Sequence, residues 1–436
     1  MDILLRVERH SAYAAELLHA EPAARLSTAD HALTTELVMG VLRWRSSLDT
    51  AIARHSSAKI EKLDIEVLTT LRLAAYQLEF LDRVPARAAI HESVELVKRA
   101  RKRSATGFVN AVLRKIASES HTNTAAEAGA LHFRTARELA ANYAHPVWLV
   151  ERWAETYGLD NAQRICAYDQ QRPLTTIRLR DAAAEQELRQ AGIELAPGEL
   201  LNSARRVVTG DVTRTPAFRN SRFAIQDEAS QLAALLVGRG ERILDCCAAP
   251  GGKTSILAER NPHSRVVAVE LHPHRARLLK KLVASSNVSV VCGDARALPV
   301  RTGVDRILAD VPCSGTGTLA RNPDIKWRLQ PADLADLQNR QLAILRAAVA
   351  QLSPGGRLVY STCSLENEEN SDLVQQVLAR DSSLRLMEAS SELQRLNSEG
   401  ELVLHQLDTL VSGPYLRTIP GVHPCDGFFA AILEKT

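Results

Sequence analysis

Aromatic residues are scarce, at 4% of 436 residues, which excludes an extended base-stacking platform as the basis of any nucleic-acid binding. No apolar run reaches the roughly 18 residues that a membrane span requires. Asp2, Arg6, Glu8 and Arg9 break up the first turns, so no secretory leader is expected there. Charge of one sign is not in excess either: 54 Lys and Arg face 51 Asp and Glu. That balance rules out a bulk polycation, and affinity for nucleic acid has to come from local patches. The seven cysteines lack paired C-x-x-C spacing and any small-domain disulfide framework, so neither a metal centre nor a stapled fold is expected. This usage suits a reducing, cytoplasmic setting without a membrane.

What is present is ordinary globular material: 45% hydrophobic and 24% charged residues, in a chain long enough for two to four domains at roughly 100–200 residues each. Residues 1–145 hold only three glycines, with Pro22, Pro85 and, at the next boundary, Pro146. Ile65, Leu68, Leu71, Ala75 and Leu78 recur at helical spacing, as do Val109, Val112, Leu113 and Ile116. That is the pattern of a helical bundle. Pro85 is expected to end a helix, and 118–127 to form a loop. Residues 146–230 change character. A helix carries Trp148 and Trp153 as core residues, 173–179 reads as a strand, and turns fall at Pro197-Gly198 and Thr209-Gly210-Asp211. This is a small α+β module. From 231 to 436, apolar strands at 242–246, 265–271, 289–292, 305–309 and 357–360 alternate with helices such as 274–284 and 331–351. Such alternation predicts a parallel sheet flanked by helices, with 427–433 as a last antiparallel strand.

The sharpest segment runs from Asp245 through Cys246, Cys247, Ala248, Ala249, Pro250, Gly251 and Gly252 to Lys253 and Thr254, between a strand and a helix. Small residues there let backbone approach a ligand. A P-loop is excluded because it needs glycine at 247, and no G-x-G-x-x-G occurs. Glu270, 18 residues after Gly252, ends the second strand and suits a ribose; Asp294 ends the third and suits an adenine amino group; Asp310 ends the fourth. Carboxylates for ribose and adenine without a phosphate site indicate S-adenosylmethionine.

Two cysteines sit at strand ends beside that crevice: Cys313, in Asp310-Val311-Pro312-Cys313, and Cys363, in Ser361-Thr362-Cys363-Ser364. Cys166, Cys246 and Cys292 read instead as small buried hydrophobes. The C5 carbon of cytosine is a poor nucleophile. A thiolate adding to C6 makes C5 an enamine carbon able to take a methyl group, which is covalent catalysis. Asp310 is placed to bind the polar edge of the base and assist protonation of N3. An amine methyltransferase would carry an Asp/Asn-Pro-Pro-aromatic turn, whereas this turn ends in cysteine. Spacing does not decide which cysteine attacks.

The segments DCCAAPGGKT, DVPCSGTG, RNPDIKW and STCS resemble those of the RNA cytosine-C5 methyltransferase family, over essentially the full length. Within it, the chain is similar to the bacterial small-subunit ribosomal RNA enzymes. Residues 1–140 resemble the RNA-binding antitermination factor NusB, most tellingly at 108–114, and 146–230 resembles the small domain that precedes catalysis in this family. The resemblance implies a multidomain chain: an all-α NusB-like domain, a small α+β linker, and a Rossmann-like methyltransferase domain. It implies that Cys247, Ala248, Ala249, Pro250, Gly251, Gly252 and Lys253 wrap S-adenosylmethionine, with Glu270, Asp294 and Asp310. It makes Cys363 the nucleophile and Cys313 the group that assists product release. The implied partner is 16S rRNA, at a loop cytosine (position 967 in the conventional rRNA numbering), with the protein a monomer and no metal. Glu270 stands where Asp is common in the family, and Asn322 where His is frequent. A transfer RNA substrate, or a non-catalytic antitermination role, are the alternatives.

The RNA contacts expected from sequence are the basic run Lys98, Arg99, Arg101, Lys102 and Arg103, with Arg99 and Arg103 sharing a helix face, and Lys326 in the RNPDIKW run. Arg205, Arg206, Arg214, Arg219 and Arg222 are expected to add phosphate contacts. Basic and acidic residues number 20 and 17 in 1–145, 11 and 12 in 146–230, and 23 and 22 in the remainder, so no domain is strongly basic.

Overall fold

The computed structural model describes residues 1–10, 12–20, 23–120, 133–283, 285–300 and 303–436. Pro22, Gly129, Ala284 and the 121–127 part of the expected loop lie outside the described residues. Two compact units are present: Met1–Arg172 with Leu319–Leu329, and Pro173–Thr318 with Gln330–Thr436.

The first unit is helical, as expected. Helices Thr28–Arg43, Arg45–His55, Ile65–Phe80, Ala86–Arg99 and Thr106–Ser120 bury Leu42, Leu48, Ile52, Leu71, Val109 and Leu113 in one core. Helices start where the sequence offers a cap: the Ser27 hydroxyl accepts from the Asp30 amide, and Thr135 from that of Glu138. Two local expectations change. Helix Ile65–Phe80 stops five residues before Pro85, and that proline caps the start of the next helix rather than ending the previous one. Residues 118–120 continue helix Thr106–Ser120 instead of opening a loop. Helix Val147–Tyr157, read from sequence with the middle module, lies in this unit together with helix Leu159–Asp169, which the sequence does not mark. Leu149, Val150, Trp153 and Ile165 are buried there, whereas Trp148, expected in the core, is half-buried.

The second unit begins with a four-stranded antiparallel sheet: β1 (Thr175–Leu179), β2 (Glu194–Pro197), β3 (Ala204–Thr209) and β4 (Phe223–Ile225), in the order β2-β3-β1-β4. Helix Ala182–Gln190 contributes Leu188 to a core with Ile177, Val207 and Phe223. A nine-stranded sheet follows. Its parallel part is β5 (Arg242–Asp245), β6 (Arg265–Glu270), β7 (Val288–Cys292), β8 (Val304–Asp310) and β9 (Leu352–Thr362), ordered β9-β8-β5-β6-β7. The short strands β10 (Leu384–Met387), β11 (Val411–Ser412) and β12 (Tyr415–Thr418) come next, and β13 (Phe428–Lys435) pairs antiparallel with β9, as the sequence predicts for the last strand. Strands β10, β11 and β12 were not legible in the sequence; β10 and β12 both pair with β13.

The central strands are apolar throughout because both faces are covered. On β9, Leu358 and Tyr360 enter one core and Val359 the other; on β8, Ile307 and Ala309 oppose Leu308. This two-residue alternation between two buried layers marks a sheet with helices on both sides. The β8–β9 register sets Asp310 opposite Ser361, so the carboxyl ends of these strands finish level.

Candidate active site

The strand ends of the second unit build the site. After β5 the chain turns through Cys246–Gly251 into helix Gly252–Arg260, with a cis Ala249–Pro250 bond. Gly251 has φ +116°, and a Cβ there would stand 2.5 Å from Val283 Cγ2 and 2.8 Å from Leu279 Cδ1. Both conformation and space therefore demand glycine. Beneath the turn, buried Asp245 accepts a 2.7 Å hydrogen bond from the Thr254 hydroxyl. Burial pushes its carboxyl up to about 7, with the Thr254 bond opposing and the charge of Asp310 adding. Burial likewise raises the thiols of Cys246 and Cys247, which makes them wall rather than reagent.

Lys253 projects from the first turn of that helix to Asp310, Nζ to Oδ2 at 2.7 Å, and lies 5.0 Å from the Phe428 ring centroid. Burial alone would lower its ammonium, but the charge and hydrogen bond of Asp310 hold it above the ordinary lysine value. Cys363 adds to that effect, so the cation lies within electrostatic reach of the thiol. The other Asp310 oxygen accepts from Ser361 at 2.9 Å. Glu270 receives the His272 amide at 2.8 Å through one oxygen. Asp294 caps Arg296, whose guanidinium binds it at 2.6 Å; these bonds hold its carboxyl below the usual range.

Cys313 and Cys363 are brought together, Sγ to Sγ at 3.4 Å. The hydrogen bond to Cys363 and burial both raise the Cys313 thiol well above its ordinary range. Two bonds join their loops: Gly317 N–H donates to the Cys363 carbonyl at 2.9 Å, and Leu365 N–H to the Thr316 hydroxyl at 2.9 Å. Cys166 and Cys246 are buried as expected, but Cys292 is exposed, because β7 is the edge strand of its sheet.

Residues of the centre that the sequence reading did not single out for a role are Asp245, Thr254, Ser361, Gln341 and Glu369. Asp245, Thr254 and Ser361 border the motifs and were findable there. Gln341 and Glu369 carried no local signal: Gln341 and Ser314 lie 28 and 55 residues from Glu369, and nothing in the sequence marks Glu369 as the partner of Ser364 five residues before it.

The expected RNA residues divide. Helix Ala86–Arg99 ends at Arg99, and Arg101 takes φ +63°, so Arg99 and Arg103 do not share a helix face. Lys98 binds Glu95 at 2.7 Å and Lys102 binds Asp64 at 2.9 Å, leaving Arg99, Arg101 and Arg103 exposed. Lys326 is not a surface residue. Only 1% exposed, it donates to the Arg43 carbonyl at 3.0 Å inside the first unit. Burial lowers its ammonium to about 7, against the favourable charge of Asp169. That removes Lys326 from the RNA contacts. In the α+β module Arg205 pairs with Glu185, Arg206 with Glu199, Arg214 with Asp211 and Arg222 with Asp181, so those charges are already answered. Among the described residues no cluster of three His, Cys, Asp or Glu is arranged for a metal ion, and no helix is long and apolar enough to cross a membrane.

The turn after β5 and the acidic strand ends fit an adenosyl ligand on this structure. Among the described residues no protein group binds the second Glu270 oxygen. Comparison with known proteins agrees with the geometry. Residues 233–434 match the 16S rRNA methyltransferase RsmB/F family, residues 1–118 the NusB family, and residues 145–210 the ferredoxin-like domain of RsmF/B-like methyltransferases. The chain is 33% identical to the probable ribosomal RNA small subunit methyltransferase B of Bacillus subtilis, over 100% of this chain and 97% of that protein. It is 35% identical to the ribosomal RNA small subunit methyltransferase B of Vibrio cholerae, over 96% and 93%. The crystal structure of PH0851 shares the fold at a TM-score of 0.78 and 23% identity, covering 99% of this chain and 96% of that one. By these matches the chain belongs to the RsmB/F family, with its NusB-like helical domain, ferredoxin-like domain and Rossmann-like methyltransferase fold.

Proposed function

We propose that this protein transfers a methyl group from S-adenosylmethionine to C5 of a cytosine in 16S ribosomal RNA, through a transient bond between Cys363 and C6. The observation that carries the reading is the pair of thiols 3.4 Å apart beside the Lys253–Asp310 ion pair. A single thiol would serve attack alone; a second one beside it suits an enzyme that must also release its product. The names of the relatives support rRNA as the substrate.

S-adenosylmethionine supplies the electrophilic methyl group, held by Cys247 to Lys253, Glu270, Asp294 and Asp310. Cys363 bonds to C6 as thiolate. The electron pair of the C5–C6 double bond shifts to join C5 to C4, the C4–N3 pair moves onto N3, and N3 takes a proton. Asp310, fixed by Lys253 and Ser361, binds the polar edge of the base. C5 then takes the methyl group as the bond from that methyl to the sulfonium sulfur breaks and S-adenosylhomocysteine leaves. A base removes the C5 proton, that electron pair re-forms the C5–C6 double bond, the C6–S bond breaks with Cys363 departing as thiolate, and N3 gives its proton back. Cys313 assists this last step. Residues 1–140 and 146–230 bring the RNA, 231–436 perform the chemistry, and the protein acts as a cytoplasmic monomer.

The test is to incubate the protein with labelled S-adenosylmethionine and unmethylated 16S rRNA and map the product. 5-Methylcytosine at one site is expected, with Cys363→Ala inactive and Cys313→Ala accumulating a covalent protein–RNA adduct. Methylation of a ring amino group would overturn the chemistry, and an adduct with Cys363→Ala instead would reverse the two cysteines.

A further inference from the structure

Close to Cys363 in the chain stands a glutamate that the chemistry above does not use. Glu369 has 0% exposure and lies in the short 3-10 turn Asn367–Glu369. Its Oε1 accepts from the Ser314 amide at 2.8 Å and from Gln341 Nε2 at 2.7 Å. Its Oε2 accepts from the hydroxyls of both Ser314 and Ser364. Each serine follows one of the two cysteines directly. The two hydroxyls also lie 2.9 Å apart. Two hydroxyl protons cannot serve all three contacts at once, so the two serines and the carboxyl form one shared cluster.

The partners of Glu369 are themselves anchored. Gln341, on helix Asp333–Gln351, also donates to the Pro312 carbonyl at 3.0 Å, and the Tyr360 hydroxyl donates to the Glu369 carbonyl at 2.6 Å. One buried carboxylate thus draws in the loop before and after Cys313, the loop after Cys363, and the helix behind them. No cation touches it among the described residues, and its polar partners are hydrogen-bonding groups. Burying a carboxylate this way is costly, and only a full set of donors makes it tolerable.

We propose that Glu369 is the positioning residue of the two-thiol centre, holding the Cys313 and Cys363 loops on one carboxylate and thereby setting the separation of their sulfurs. The proposal rests on the roles given above to those cysteines, but the sulfur spacing can be read without any RNA. Dibromobimane bridges two close thiols, each thiolate displacing one bromide, and peptide mapping identifies the bridged pair. In wild-type protein Cys313 and Cys363 should bridge readily. In Glu369→Gln, which keeps the shape but puts an amide where two donors converge, bridging should slow about tenfold or more, and kcat for methyl transfer should fall in parallel with KM for S-adenosylmethionine unchanged. Bridging at the wild-type rate in folded Glu369→Gln would overturn the proposal. Should that variant not fold, Ser314→Ala and Ser364→Ala decide: each removes one donor, and wild-type bridging in both would equally overturn it. Slowed bridging in a protein that proves to methylate something other than cytosine C5 would leave Glu369 as the spacer and sink the chemical reading instead. Cytosine methylation with unaltered bridging would do the reverse.

Discussion

Gly317→Ala tests how tightly the two-thiol centre is held from behind. A Cβ on Gly317 would stand 2.2 Å from the Gly427 carbonyl oxygen, 2.7 Å from its carbonyl carbon and 2.8 Å from its Cα. Ordinary contact begins at 3.4 Å, so the two backbones must part by about 1 Å, and no flexible side chain can give way. The φ of Gly317 is not positive, which makes the perturbation steric rather than conformational. The same two glycines carry hydrogen bonds: Gly427 N–H to the Gly317 carbonyl at 2.8 Å, and Gly317 N–H to the Cys363 carbonyl at 2.9 Å. Overpacking of this kind costs about 1–3 kcal/mol, and each weakened bond adds about 1 kcal/mol. From these terms, urea unfolding of the second unit should show a loss of about 2–5 kcal/mol. Because the displaced backbone is bonded to that of Cys363, kcat should also fall about a hundredfold, the usual cost of misplacing a reacting group by about 1 Å. Gly107→Ala is the internal control: nothing lies within 4 Å of its Cβ, and it sits in helix Thr106–Ser120. That variant should gain a few tenths to about 1 kcal/mol and keep full activity. A Gly317→Ala protein with wild-type midpoint and wild-type kcat would refute the packing argument.

Lys326→Met should leave RNA affinity unchanged and remove a pH dependence. Between about 7 and the ordinary 10.5, the unfolded chain holds a proton on Lys326 that the folded chain has released, so stability rises with pH across that window. Urea midpoints over this range should flatten in the variant; an unaltered slope would show that Lys326 is not the group. Asp245 gives the opposite slope. Folded, it keeps its proton up to about 7, while the unfolded carboxyl loses it near 3.8, so stability falls as pH rises between these values. Asp245→Asn should level that limb, at about 1.4 kcal/mol for each pH unit across which the two states differ. Replacing Arg99, Arg101 and Arg103 by Gln should weaken RNA binding and lower the slope of log affinity against log salt, by up to about 0.9 for each phosphate no longer neutralised. Filter binding at graded salt that returns the wild-type slope would remove this run from the RNA interface.

The sequence determined most of what depends on neighbours along the chain. Helical periodicity gave the first bundle, apolar strands separated by helices gave the parallel sheet, and the glycine turn with its acidic residues was placed at the strand ends where the structure has them. Cys313 and Cys363 were both marked by their position after strands, because a parallel sheet delivers successive strand ends to one edge. Short strands β10, β11 and β12 left no such mark; their pairing with one another and with β13 comes from the sheet edge they complete.

Tertiary structure alone decided what each charge and thiol faces. Lys326 reads as an exposed cation beside Trp327, yet burial against Arg43 and Asp169 makes it an interior amine. Arg205 and Arg222 of the α+β module read as part of a phosphate patch, yet Glu185 and Asp181 answer them, while Arg219 stays exposed. Cys313 and Cys363 are 50 residues apart in the chain, and only the level ends of β8 and β9 bring their sulfurs to 3.4 Å. Glu369 had no local signature at all, because its role lies in partners drawn from three separate segments. Residue type and spacing declare which groups are available for chemistry. Burial and long-range pairing, which no local pattern encodes, decide which of them carry charge, which are spent on one another, and which are left to act.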